Sequence, residues 1–520
     1  MALTRGPSSK KPCPRDLTSS TELTIIAEDY VARTPEDVQK IIEKALQLRN
    51  TRGRKGESDN LLKKYSLRAI QSPLLGLTHS NPYRALATDI LHVFEGGGVK
   101  HVLGWTVDRL SLKSADPATL QIIDDRFSLL VRWKKNRHHE SITELTFADS
   151  KCWLSIFNRI LPCIWDLKAD DMENADEMHP VLLLIRNMSE ARALLGVEVV
   201  TTEYLELASA KLLDLERSIP AAAEVLKQDC AFPKMHILLT HAIEDIKRKG
   251  PLKHMNTIIG EHGHTMFKQD FKQSDGQNVE LQITELQENR AVIAHTRHTI
   301  ESAASPDTQK KKETPSVLLS YTGPRLRSPG PKQLLLQIEE NKGSRGFFTN
   351  LCQGLLEFFK INLNQPNLAH TNVEQLIQTY TAVNTRFQSF STLTYEEENI
   401  RCAESFHNQE RYDVVLVALP DKSYVYARMR LLFSCQVLGQ DQQVACVTLL
   451  RTVIPPSEHF IGMRRVREDA AGSFIYLKWI VRSVYVQPTF DEEEHDFFVN
   501  DVMDSDMYLR HQSLQNEEFM

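Results

Sequence analysis

Apolar residues recur at helical spacing through residues 31–300. Val38, Ile41, Ile42, Ala45 and Leu48 form one stripe behind Thr34-Pro35-Glu36-Asp37. Threonine is a good N-cap and proline suits a first turn, so a helix is predicted from Pro35. A second helix is predicted from Asn81-Pro82, with Tyr83, Leu86, Ala87, Ile90, Leu91 and Phe94 on one face and a stop at Gly96-Gly97-Gly98. Residues 148–226 stay helical, and a further helix should start at Pro233 and end at Gly250-Pro251. Beyond residue 400 the texture becomes β. Val414-Val415-Leu416-Val417, Tyr424-Val425-Tyr426-Ala427, Val444-Ala445-Cys446-Val447 and Phe474-Ile475-Tyr476-Leu477 are short apolar runs separated by turn residues. Asp501 to Leu509 alternates and reads as a last strand.

These patterns predict an α+β protein with a mainly helical N-terminal region and a small antiparallel β domain at the C-terminus. The expected segments are a disordered tail (1–30), a helical region (31–300), a Pro-rich linker (301–332), a helical connector (333–399) and a β-rich domain (400–511). The tail rests on the Ser, Pro and Lys content of its first 20 or so residues, and the linker on Pro306, Pro315, Pro324, Pro329 and Pro331 around Lys310-Lys311-Lys312. No internal repeat is visible.

At 520 residues, 41% hydrophobic and 25% charged, the chain has ample material for a large core. Its net charge of −6 is unevenly spread. Residues 491–520 hold ten acidic residues against Arg510, a local net of −9, which leaves +3 on the remainder. The eight cysteines include no C-x-x-C pair, which fits a reducing compartment. Neither a secretory signal nor a bilayer-spanning apolar run is visible. An intracellular protein without membrane partners is expected, in the nucleus if it meets DNA.

Three segments carry a resemblance. The first runs from Tyr65-Ser66-Leu67-Arg68 through Asn81-Pro82-Tyr83-Arg84-Ala85-Leu86 to Asp89-Ile90-Leu91-His92, Gly96 to Gly98 and Lys100-His101. The second is Phe232-Pro233-Lys234-Met235-His236, then His241, Asn256-Thr257, Glu261 and His264. The third joins Arg401-Cys402, Ser405-Phe406-His407, Arg411-Tyr412-Asp413 and Leu432-Phe433-Ser434-Cys435 to Asp501-Val502-Met503-Asp504-Ser505-Asp506-Met507-Tyr508-Leu509-Arg510. In this order they resemble the C-terminal half of CACTA (En/Spm) superfamily transposases, especially the fungal Plavaka group. The resemblance implies the remnant of an RNase H-like fold with a helical insertion. In such enzymes three acidic side chains hold two Mg²⁺ ions for DNA strand transfer.

Carried over by motif, Asp89 and His92 occupy the D-x-x-H signature, and Glu261 matches the third acidic ligand. The first two aspartates of the family precede the matching segment, Lys100-His101 lacks an acidic residue between them, and His264-Thr265-Met266 departs from the usual acidic pattern. The expectation is therefore a truncated, catalytically incomplete transposase derivative that is not an enzyme, needs no cofactor and retains no ancestral Mg²⁺. Taken without the family, Asp89 and His92 are solvated neighbours on a helix and Glu261 is an exposed loop carboxylate.

Other groups receive plainer readings. His236, His241, His254, His262 and His264 crowd one segment near Cys230, but their spacing matches no familiar zinc pattern. They read as a helix-borne polar network, and no metal site is assigned. Arg132, Lys134, Lys135 and Arg137 surround Trp133 and form the best candidate for weak, sequence-indifferent DNA contact; a charge run is otherwise a solvated face. Lys247-Arg248-Lys249 is explained by its helix C-terminus. The Gly96–Gly98 run lacks the Lys-Ser/Thr of a phosphate loop and is expected only to end its helix. The alternative function is a non-enzymatic chromatin or protein-interaction module that presents Tyr424, Tyr426 and Trp479 from the β domain.

Overall fold

A computed structural model describes residues 4–26, 29–77, 79, 81–111, 118–134, 136–143, 145, 149–169, 171–303, 323–342, 350–373, 376–459, 461–491 and 494–518. The chain divides into two units, one comprising Met1–Met255 with Pro324–Met520, the other Asn256–Gly323. In the second unit, helices Ile258–Gln273 and Val279–Ala303 are tied by Arg290 Nη1 and Asp270 Oδ2 at 2.8 Å.

The first helix spans Pro35–Asn50, and Thr34 Oγ1 accepts the Asp37 amide at 3.1 Å as the sequence leads one to expect. The main core gathers Ser150–Ile164, His179–Leu195 and Thr202–Leu226, joined by Phe94, Phe127 and Leu238. One expected boundary differs. Pro82–Ala85 is a single short turn, and the glycines do not stop the next helix. A π-helical stretch, Leu91–Val99, runs through Gly96–Gly98 and continues as Lys100–Ser111. The glycines serve close approach: a Cβ on Gly97 would lie 2.6 Å from Lys234 Cδ, and one on Gly98 would lie 3.1 Å from Met188 Cε.

Among the described residues ten strands form one antiparallel sheet system. They are β1 (Arg325–Leu334), β2 (Leu376–Gln388), β3 (Tyr395–Phe406), β4 (Gln409–Tyr412) and β5 (Val414–Ala418). After them come β6 (Tyr424–Val437), β7 (Gln440–Ile454), β8 (Arg464–Tyr476), β9 (Ile480–Pro488) and β10 (Asp496–Asn500). Pairing runs β5–β6–β7–β8–β10–β9 and returns from β9 to β5, closing a six-stranded barrel; β2 joins β6 and carries β1 and β3, with β4 beyond. Val415 and Val417 belong to one apolar cluster and Val414 and Leu416 to another. Both faces of β5 are therefore buried, which is why its run is uninterruptedly apolar.

The sheet starts earlier than composition implies. Residues 325–332 of the Pro-rich stretch lie in β1, while 304–322 fall outside the described residues. The stretch 333–399 holds helices Leu335–Lys342 and Leu351–Asn362 but also β2. Ile461, Met463 and Phe498 from the barrel region enter the main helical core, so helices and barrel share one unit. Asp501–Leu509 is not a strand: a 3-10 turn, Asp501–Met503, leads into helix Ser505–Glu518.

Candidate metal centre

The N-terminal segment expected to be disordered is packed. Arg33 is buried and reaches back to it, donating from Nε to the Cys13 carbonyl at 3.0 Å and from Nη2 to the Lys11 carbonyl at 2.8 Å. Asp16 forms a β-bridge with Ala32, and its Oδ1 accepts the Thr18 amide at 2.9 Å. Long-range partners fix a segment whose own composition is that of a loop.

What these anchors deliver is a four-residue cluster. Cys13 and Asp16 meet His236 and His241, all fully buried, with one donor atom from each within 4.8 Å of the others. Asp16 Oδ2 lies 2.7 Å from His236 Nε2 and 2.8 Å from His241 Nε2, and Cys13 Sγ is 3.5 Å from His241 Nε2. The histidines stand five positions apart, a spacing that does not align side chains in an α-helix. Here Pro233–His236 passes into a π-helical turn, Ile237–His241, before Ala242–Lys249 resumes the α-helix. The i to i+5 repeat of that turn brings both imidazoles to one side. The helix then ends at Gly250, φ +92°, where the sequence places its stop.

The donor chemistry fits a metal. A thiol, a carboxylate and two imidazoles make a mixed S/O/N₂ set of the kind zinc takes in tetrahedral, closed sites. Each histidine turns Nε2 inward. His236 Nδ1 lies 3.4 Å from Thr240 Oγ1, an outer partner of the kind that orients ligating imidazoles, whereas His241 Nδ1 is buried without a hydrogen bond among the described residues, with Glu244 Oε2 at 3.9 Å. Burial, and then Asp16, pushes the Cys13 thiol up to about 12. Burial also disfavours charge on Asp16, but hydrogen bonds from His236 and His241 outweigh it and hold that carboxyl well below the usual carboxylate range. Burial, against the hydrogen bond to Asp16, holds the His241 imidazole below its ordinary pKa. Zn²⁺ would displace the thiol proton and supply the positive charge that this buried set lacks.

A surrounding shell locks the centre to the motif segments. Arg15 Nη1 meets Asp245 Oδ2 at 2.6 Å, and the same oxygen accepts the Thr88 amide at 2.7 Å and its hydroxyl at 2.9 Å. The Tyr30 ring sits edge-on to His241 at 4.9 Å, and its hydroxyl donates to Glu244. Thr88 immediately precedes Asp89, so the first motif is tied to the helix of the second.

The residues marked by sequence are placed as follows. Asp89 Oδ2 and His92 Nδ1 are 2.7 Å apart, and Asp89 Oδ1 accepts the Leu91 amide at 3.1 Å. Glu261 lies on the exposed side of Ile258–Gln273 in the other unit. His264 is exposed in that unit as well, His254 is exposed in the first, and Cys230 is buried in the main core. His236 and His241 do share a buried polar network through Asp16, and its four donors are also close enough to hold a metal ion. The cluster also identifies Cys13 and Asp16, which the sequence reading missed because it treated residues 1–30 as a tail.

The basic stretch is partly structural. Trp133 is buried with its ring 5.0 Å from that of Tyr485, and Lys134 is ion-paired with Glu398 and donates to Ser483 Oγ at 2.6 Å. Arg132 and Arg137 are exposed, and Lys135 lies outside the described residues. The acidic C-terminal stretch is likewise engaged: Asp496 with Arg465 and Arg467, Asp501 with Arg186, Asp506 with Arg482 and Arg510. Of the three expected recognition aromatics only Tyr424 is well exposed. Tyr426 is buried with its hydroxyl 3.0 Å from His511 Nε2, and Trp479 packs on Tyr476 and Phe358.

No protein family's sequence profile matches the chain, and no curated protein matches it.

Proposed function

We propose that the chain is a transposase-derived nucleic-acid-binding protein without strand-transfer chemistry, its fold fastened by one Zn²⁺ at Cys13, Asp16, His236 and His241. The observation that carries this reading is the character of that cluster. Among the described residues it is the one group of three or more His, Cys, Asp or Glu side chains close enough together to hold a metal ion, and all four are buried. Four protein donors in a closed set leave no position for substrate, which suits a structural metal. Two-metal phosphoryl chemistry needs the opposite, carboxylates opening towards DNA. Asp89 is instead engaged with His92 and the Leu91 amide, and neither joins the cluster.

The transposase origin rests on the order of the three sequence segments; of these, stretches of the first two pack together, Thr88 bonding Asp245 and Lys234 lying across Gly97. No helix among the described residues is long and apolar enough to cross a membrane. A DNA partner would place the chain in the nucleus under this reading.

The test is a nicking and strand-joining assay with the full chain, duplex DNA and Mg²⁺ or Mn²⁺. The expected result is no activity above that of the Asp89→Ala and Glu261→Ala variants. Metal-dependent cleavage that Glu261→Ala abolishes would overturn the reading.

A further inference from the structure

Two lysines and three rings share a surface beside the helix that carries His236 and His241. Lys100 starts the α-helical part of Lys100–Ser111, and Lys234 belongs to the turn that ends in His236. Lys234 extends across Gly97, reaching the Gly96 carbonyl at 3.4 Å. Its course is possible because residue 97 has no side chain. Among the described residues neither lysine is ion-paired. Both charges bear on His101, whose imidazole is held below its ordinary pKa by burial, then by Lys234, then by Lys100.

The rings form a platform. His101 and Trp105 stack with centroids 5.5 Å apart and planes 28° apart, and Phe232 lies 5.3 Å from His101 and 6.1 Å from Trp105. Trp105 and Phe232 rest on the main core but remain half-exposed, while His101 and Lys100 are exposed. Unlike the Arg132–Arg137 stretch, where Trp133 is buried and Lys134 is paired, this surface leaves Trp105 and Phe232 partly exposed beside two lysines without ion pairs among the described residues.

We propose that Lys100, His101, Trp105, Phe232 and Lys234 form a binding surface for single-stranded nucleic acid. Each lysine receives one backbone phosphate, and an unpaired base stacks on the ring platform. Aromatic faces are sequence-tolerant partners for unstacked bases, whereas a duplex offers phosphates but keeps its base faces covered. This inference rests on the nucleic-acid-binding reading and adds the strand state and the surface.

The experiment is fluorescence anisotropy of the full chain with a labelled single strand of about 12 nucleotides, within the site sizes of single-strand binders, and with the matching blunt duplex, across a salt series. The single strand should bind at least ~10-fold more tightly than the duplex, because only it offers a base to stack. Lys100→Gln with Lys234→Met should lower the salt slope by about 1.4, since each phosphate contact contributes roughly 0.7. Trp105→Leu should weaken binding by about 5-fold to 100-fold while leaving that slope unchanged. Lys100→Gln alone replaces an exposed side chain and remains informative if either other variant fails to fold; it should lower the slope by about 0.7. Tight duplex binding that ignores all three substitutions overturns this surface and leaves the nucleic-acid reading intact. No binding of either oligonucleotide at low salt overturns both.

Discussion

Arg186 and Asp501 form a buried two-pronged ion pair, Nη1 to Oδ1 at 2.6 Å and Nη2 to Oδ2 at 2.9 Å, across a sequence separation of 315 residues. The pair joins the helix His179–Leu195 to the turn after β10 and so fastens the helical core to the barrel. Replacing Arg186 with Met would leave the Asp501 carboxylate buried and uncompensated, a change that typically costs roughly 3–5 kcal/mol. The lower urea midpoint should be plain, and an unchanged midpoint would contradict the assignment.

The same pair fixes an acid response. Burial disfavours charge on Asp501, but Arg186 outweighs it and holds the carboxyl below its ordinary 3.8. Because the folded value is depressed, the stabilisation is complete above the ordinary carboxylate pKa and is lost as pH falls through the folded value. Asp501→Asn should therefore lower stability at neutral pH and reduce its fall as pH drops below ~4. Parallel acid-unfolding curves for the variant and the parent would refute this.

His511 governs a second window. It is buried against Tyr426, and burial pushes its pKa down from 6.5 to about 4. The unfolded chain takes up this proton first, so stability present above pH 6.5 declines as pH falls towards 4, by on the order of 2–3 kcal/mol for this one group. His511→Gln can keep a hydrogen bond to Tyr426 without titrating. Its melting temperature should fall less steeply across that window than that of the parent, and an identical slope would exclude His511 as the cause.

Lys134 separates structural from binding roles in the basic stretch. Its amino group compensates the buried Glu398, so Lys134→Met should destabilise the fold by ~1–2 kcal/mol. Arg132→Gln with Arg137→Gln, both exposed, should change stability by less than about 0.5 kcal/mol. Urea titration of the two variants checks this, and the reverse order would show that Lys134 is a surface cation after all.

Local signals were legible and long-range ones were not. The helix Pro35–Asn50 was readable because cap, proline and stripe lie within a few turns of one another, and β5 because a strand buried on both faces is apolar throughout. β1 was hidden: Pro329, Gly330 and Pro331 look like a linker, yet among the described strands β1 pairs with β2 alone, and an edge strand tolerates proline. Asp501–Leu509 misled for another reason, since its acidic residues face buried arginines and not solvent. The metal centre needed two facts that sequence spacing lacks, the π-helical turn that aligns His236 with His241 and the arginine that draws Cys13 inward.

Zinc content tests the centre most directly. Protein prepared with zinc and passed through gel filtration should retain about one Zn²⁺ per chain by native mass spectrometry. Asp16→Ala and His241→Ala should each lose it. Chelation should lower the melting temperature of the parent by roughly 8 °C or more, and added Zn²⁺ should restore it. A chain that binds no zinc at equimolar metal, and whose melting is indifferent to both chelator and zinc, would contradict a metal-fastened fold.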